Sequence, residues 1–284
     1  MNAPAATLDR VRVFTPFGVR FVDAALDAPV GDGLLVTARA ESQPGSAITA
    51  FRTPSGHYAF SGIPGLHGVE YPQHDDDPMA APPQRVAIEV QDRRGRFLGA
   101  LFLVDLPHRG LYPSASGPLA GLYLFSAPTR PPMPALAAVR AAIETAAGDA
   151  AAFAVLELEL PGGAVHYGVA DARGALLLQC PWPRFDMPPQ RSLPAPVDEQ
   201  HWAVRVRVRH QPAAWRFAPG SNLPTLGSLF AQAFAEILPA APGSLVVTVM
   251  ERDEILVHGQ ELVLRSGDRL PLIVFSAAAP PSIP

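Results

Sequence analysis

Apolar and polar residues alternate along most of this chain, and the commonest spacing is two rather than three or four. Val19 and Phe21 share one face of GVRFVDA, Leu34 to Thr37 is strand-like, and Val86, Ile88 and Val90 line one side of RVAIEVQ. HWAVRVRVRH alternates strictly, with Val204, Val206 and Val208 on one face and Arg205, Arg207 and Arg209 on the other. A repeat of two sends successive side chains to opposite faces of a pleated strand. AAFAVLELELPGG, HYGVADARGALLLQC, SLVVTVM, EILVHGQELVLRSG and RLPLIVF read as strands as well. Two segments point to helix. TLGSLFAQAFAEILPA carries Leu226, Leu229, Phe230, Phe234 and Ile237 at helical spacing and is the best helix in the chain. ALAAVRAAIETAAG supports two readings. Its alanines, and Leu136, Val139 and Ile143 at i, i+3 and i+7, favour helix, whereas Val139, Ala141 and Ile143 also alternate as in a strand; helix is the expectation for residues 136–147.

Between the strands one turn recurs. Thr53 stands three residues before Gly56, Asp92 before Gly95 and Asp171 before Gly174. An Asp or Thr oxygen can bond backbone two residues on, and Gly accepts the positive φ that such turns demand. Tyr58 and Phe60, and later Leu176 and Leu178, follow at a spacing of two, whereas the Asp92 copy is followed by the adjacent pair Phe97 and Leu98; each copy reads as a hairpin whose returning strand faces a core. The 33 prolines argue against a helical bundle, because Pro ends helices and avoids central strands. They concentrate in 109–135, a connector whose GLYLFSAP run is placed to pair at a sheet edge, and in PWPRFDMPPQRSLPAP, a stiff linker.

Composition narrows the function. All 22 basic residues are arginine, so neither a lysine Schiff base nor a Walker-type phosphate lysine is available. A net charge of −4 leaves no electrostatic footprint for nucleic acid. The single cysteine, Cys180, excludes an internal disulfide and a multi-cysteine metal site, and reads as a buried structural thiol. MNAPAATLDRVRVF lacks the charged and apolar regions of a signal peptide, and no run is long enough to span a bilayer, so the expected compartment is the cytoplasm.

Candidate chemistry is sparse. His74 with Asp75, Asp76 and Asp77 could hold a cation, but consecutive residues cannot all point at one ion, and a solvated loop is the favoured reading. No HExxH pair or GxSxG elbow occurs. Trp182, Trp202 and Trp215 flank linkers and strand ends, where core plugs are the default. Arg205, Arg207 and Arg209 form a basic strand face. It is either solvated or a contact for an acidic partner surface, since arginine is the favoured interface cation. No catalytic, cofactor-binding or metal-binding constellation is visible, so no cofactor is expected and an enzyme ranks last.

FVDAALDAPVGDGLLVTA followed by FRTPSGHYAFSGIPG resembles the carboxypeptidase regulatory-like, or transthyretin-like, β-sandwich, and HYGVADARGALLL resembles a looser version of the same module. The resemblance implies tandem small sandwich domains, immunoglobulin-like in architecture, and the strand and helix patterns add a C-terminal β-rich domain with one helix, giving a mainly β chain. The expected organisation is a first sandwich over 1–108, a second small β domain over 109–183, a proline-rich linker over 184–200 and a C-terminal α+β domain over 201–284. Over the whole chain, the order FRTPSGHYAFSGIPGL, EVQDRRGRFLGALFLVDLPHRGLY, FSAPTRPPMPALAAVRAAI, GVADARGALLLQCPWP and GQELVLRS resembles proteins that accompany extracellular contractile injection systems, which are phage-tail-like particles. That resemblance implies a structural subunit at the cap or baseplate, partnered by tube, sheath, cap or baseplate proteins, assembled in the cytosol and released with the particle. The alternative is a sandwich module binding carbohydrate or a cell surface, for which an aromatic strip on one sheet face would be the mark.

Overall fold

Among the described residues of the computed structural model, 48% are in strands or bridges and 6% in helix, so the fold is mainly β, as the alternation predicts. The structure describes residues 17–72, 81–107, 121–184, 200–238, 248–268 and 271–275. His74 to Asp77 and most of SLVVTVM lie outside these residues, as do most of the proline-rich run 184–200 and AAAPPSIP.

The first unit contains β1 (Phe17–Val19), β2 (Phe21–Asp23), β3 (Ala28–Val30), β4 (Leu34–Ala40), β5 (Ile48–Thr49), β6 (Phe51–Arg52) and β7 (Tyr58–Phe60). One helical turn, α1 (His67–Glu70), precedes β8 (Gln84–Asp92), β9 (Ala100–Leu106) and β10 (Leu122–Leu124). An antiparallel sheet in the order β5-β4-β8-β9 is faced by two three-stranded sheets, β1-β7-β6 and β10-β2-β3. The segment Phe17–Asp23, interrupted at Arg20, serves both small sheets: β1 pairs with β7, and β2 pairs with β3 and β10. Alternation puts Val86, Ile88 and Val90 inside, with Phe21 reaching Phe102 at 6.0 Å and Tyr58 at 5.7 Å between ring centroids. Burying each such side chain contributes about 1.5–3 kcal/mol. The first sandwich does not close near residue 108: β10, from the stretch expected to be a connector, adds a parallel strand to β2.

The second unit contains β11 (Leu136–Thr145), β12 (Val155–Glu159), β13 (Val165–Val169), β14 (Ala175–Pro181) and β15 (His201–Arg209). After α2 (Leu226–Phe230) come β16 (Phe234–Ile237), β17 (Arg252–Val257), β18 (Leu262–Val263) and β19 (Leu272–Phe275). All nine strands belong to one sheet, β13-β12-β15-β16-β19-β11-β14, with β17 beside β15 and β18 beside β11. Its terminal strands, β13 and β14, are joined by the Asp171–Gly174 turn, and Gly168 leaves the space that Leu176 and Leu178 occupy. One core, with Val139, Ile143, Leu156, Leu178, Val206 and Val208 among its members, fills the interior. Strands on either side of the proline-rich run are therefore hydrogen-bonded neighbours, β12 against β15, rather than parts of two separate sheets.

Two helix expectations are corrected. Residues 136–145 form β11, antiparallel to β14 and parallel to β18 and β19. Helix propensity is a weak prior, and here the alternating Val139, Ala141 and Ile143 all enter the core, which overrides the alanines. Among the described residues of TLGSLFAQAFAEILPA, only Leu226–Phe230 is helical, capped by the Thr225 side chain accepting from the Ser228 N–H. Phe234–Ile237 is a strand, because Leu226, Leu229 and Phe230 fill one core while Ala235 and Ile237 fill the other at a spacing of two.

The recurring turn is built alike in its three places. Asp171 Oδ1 accepts from the N–H groups of Arg173 at 2.8 Å and Ala175 at 2.9 Å, and Thr53 Oγ1 accepts from His57 N–H at 3.0 Å. Asp92 accepts from Arg94 N–H at 3.3 Å and Arg96 N–H at 2.6 Å. Burial alone would push the Asp92 carboxyl up, but hydrogen bonds from the Arg96 side chain and these N–H groups hold it below the usual carboxylate range. Gly56, Gly95 and Gly174 have φ of 81°, 67° and 76°.

The two units share a seam. Leu226, Leu229, Phe230, Val155 and Val169 belong to the first unit's core, not the second's. Phe230 lies tilted against Phe125 at 5.8 Å and meets Tyr167 edge-on at 5.3 Å, and Thr225 bridges Leu101 in parallel. Arg39 Nη1 donates to Gly220 O at 2.6 Å, tying the outer face of the four-stranded sheet to the loop before α2. Beside the seam, buried Gln232 donates to Phe153 O and Leu229 O and accepts from Gln211 N–H and Trp215 Nε1–H. Nearby His210 is only 2% exposed, and burial holds its pKa below the ordinary histidine value, as it does for His166. Both therefore stay neutral in the fold when the unfolded chain would take up protons. Stability is whole above about pH 6.5, erodes as pH falls through that value, and stops eroding once the folded-state pKa is passed. Urea midpoints measured from pH 8 to 5 are expected to fall below pH 6.5, and less steeply in His210→Gln.

Candidate functional site

The arginine face predicted from HWAVRVRVRH exists, but it is not simply basic. β12 lies antiparallel to β15 with Glu157 opposite Arg207 and Glu159 opposite Arg205, while β17 sets Asp253 opposite Arg205 from the other side. Side chains directly opposite on one face of a sheet interact, so carboxylates and guanidiniums form a ladder. Arg209 Nε donates to Glu157 Oε1 at 2.6 Å, and Arg207 Nη2 lies 3.5 Å from Glu157 Oε2 and 3.8 Å from Glu159 Oε2. Arg205 Nε lies 3.4 Å from Glu251 and 3.6 Å from Asp253. Arg209 and Arg207 also lie over the Phe234 ring, at 3.9 and 5.3 Å from its centroid.

Depth along this ladder is uneven. The Glu157 side chain is 5% exposed, whereas Arg205 and Asp253 are 48% and 79% exposed. The Arg209 end is thus structural, and the Arg205 end faces solvent with both signs of charge. Arg209→Glu is expected to cost about 2 kcal/mol, because it leaves a buried carboxylate without its donor and adds a like charge. Arg205→Glu should stay within about 0.5 kcal/mol. Equal shifts in urea midpoint for the two variants would contradict this gradient. It also corrects the view of the three arginines as one exposed surface.

The other residues singled out take structural positions. Trp182 packs on His258 at 4.7 Å and on Trp202 at 6.0 Å, and both tryptophans lie against the second core. Trp215 meets Phe153 edge-on at 5.5 Å. Cys180 is fully buried, and burial pushes its thiol up to about 12, so it is un-ionised at neutral pH. Among the described residues no group of three or more His, Cys, Asp or Glu is placed to share a metal ion, and no helix is long and apolar enough to cross a membrane.

Sequence reasoning missed the seam and the cavity within it. Leu98 and Phe125 from the first unit, Phe153 and Val169 from the second, and Leu226 and Leu229 of α2 line this cavity, and it is apolar almost throughout. None of these residues carries a motif. The local signal was Gly99, where an added Cβ would lie 3.0 Å from Leu223 Cδ1 across the seam.

No protein-family model and no curated protein matches the chain. Among solved structures it is similar to the Bacillus anthracis TIE protein, at 10% identity and a TM-score of 0.22, over 86% of this chain and 44% of that one. It is also similar to a C-terminal fragment of the pilus adhesin SpaC from Lactobacillus rhamnosus GG, at 12% identity and a TM-score of 0.20, over 93% and 99% of the two chains. SpaC in its open conformation matches at 10% identity and a TM-score of 0.21, over 93% of this chain and 32% of that chain. The chain thus spans less than half the length of the TIE protein chain. At these TM-scores the likenesses carry no functional argument. The resemblance of particular segments to transthyretin-like modules and injection-system proteins has no counterpart in these three matches.

Proposed function

We propose that this chain is a non-catalytic structural subunit of a phage-tail-like contractile particle, sited at its cap or baseplate. The segment order that resembles proteins accompanying such particles supports the reading. The observation that carries it is the seam: α2, the Phe125–Phe230 contact and the Leu101–Thr225 bridge tie two β units into one body. A body of that kind holds its outer surfaces at a fixed separation, which suits a bridge between neighbouring subunits. The solvent end of the ladder, Arg205 with Asp253 and Glu251, offers a mixed-charge patch that fixes register with a partner more than it adds affinity.

The test is deletion of the gene in a strain that makes the particles. Particles should be lost, truncated or unable to contract, and the purified chain should bind a tube, sheath, cap or baseplate protein of the same cluster. Arg205→Glu should weaken that binding with the fold intact. Fully functional particles in the deletion strain would overturn the assembly role.

A further inference from the structure

The cavity at the seam holds about 160 Å³, and we propose that it is a binding site for one small, uncharged, apolar molecule of single-ring size. The inference is independent of the particle reading. An apolar protein cavity of about 150 Å³, lined by Leu, Ile and Phe, stays dry and takes up benzene. This one has a similar volume and a mainly apolar lining, with Leu98, Phe125, Val169, Leu226 and Leu229 among its walls, but it is partly open to solvent.

Its polarity selects against charge. Among the described residues, the one titratable side chain in the lining is Asp171, and its Oδ1 is already engaged by Arg173 and Ala175 N–H within its own turn. Nothing basic among the described residues lines the cavity, so an anionic ligand would enter without a counter-charge. The wall is also held in place. Phe153 has a φ of 54°, unusual for a bulky L residue, and it is fixed there by Gln232 Nε2 donating to its carbonyl at 3.1 Å and by the Trp215 ring. A strained residue kept at a cavity wall by a satisfied buried network points to a function for the wall. Because both units and α2 supply the lining, an occupant bridges the seam and binds only the assembled fold.

The full chain is titrated with benzene and with benzoate, followed by saturation-transfer NMR and by thermal unfolding. Benzene should show saturation transfer and raise the melting temperature, since a ligand that binds only the native state stabilises it. Benzoate should do neither. Ala172 stands exposed at the mouth of the cavity, and Ala172→Phe should weaken benzene binding at least tenfold. Leu223→Ala, which widens the cavity, should admit naphthalene where the parent chain does not. Absence of benzene binding, equal binding of benzoate, or benzene binding that both variants leave unchanged would each overturn the proposal. Should Ala172→Phe fail to fold, the naphthalene result with Leu223→Ala decides alone.

Discussion

Asp23→Ala is expected to cost the first unit about 3–5 kcal/mol, the loss associated with stranding one member of a buried ion pair. Asp23 and Arg130 are 5% and 7% exposed, and the carboxylate accepts from both ends of the guanidinium fork, at 3.1 and 2.6 Å. Asp23 Oδ1 also accepts from Ala25 N–H at 2.8 Å, while Arg130 Nη1 donates to Ser126 Oγ and the guanidinium lies 4.9 Å from the Phe97 ring centroid. Once the carboxylate is gone, a cation remains buried against a ring and a hydroxyl that cannot neutralise it. The double variant Asp23→Leu with Arg130→Met should recover most of the loss, because apolar side chains of similar volume often replace a buried pair at little cost. Urea unfolding of the wild type, the single variant and the double variant tests this. A single-variant loss below about 1 kcal/mol would mean that the pair is solvated.

Gly174→Ala should cost about 3 kcal/mol or more, against about 1 kcal/mol for Gly56→Ala. Both glycines sit at positive φ in the same kind of turn, so both variants carry the left-handed backbone penalty. They differ in surroundings. A Cβ at Gly56 meets nothing within 4 Å, whereas one at Gly174 would lie 2.3 Å from Ile143 O and 3.3 Å from Ala151 N. Those are backbone atoms of a buried junction, where Ile143 N–H donates to Gly174 O and Ala151 N–H donates to Ile143 O. Neither can move without breaking a hydrogen bond. Melting temperatures that fall equally in the two variants would show that the turn conformation alone sets the cost.

Local features were readable from the sequence because their signals are local. The Thr/Asp-x-x-Gly turns need only four residues, and strands such as β8 and β15 announce themselves by alternation. Pairing between distant segments was not readable. Asp23 and Arg130 lie 107 residues apart, and nothing near either one names its partner. The arginine face shows where a signal was present but unused. VLELE and RVRVR are complementary alternating strands, and setting acid against base at the same spacing would have suggested that β12 neutralises β15. The helix expectations failed for a related reason. Alanine-rich β11 and the segment after Phe230 obey burial demands set by strands far away in the chain, which outweigh a few tenths of a kcal/mol per residue of intrinsic preference.

The position of β19 bears on the order in which the molecule is made. Although it follows every other described strand in the chain, it lies inside the sheet, between β16 and β11. A nascent chain that has not yet delivered residues 272–275 presents β11 and β16 with raw inner edges, and the first unit still lacks Leu226, Leu229 and Phe230 until α2 arrives. Unpaired inner edges invite strands from other molecules. Ribosome-bound intermediates of this protein are therefore its sticky form, and a stall or a premature stop upstream of Leu272 should yield aggregates rather than a soluble fragment.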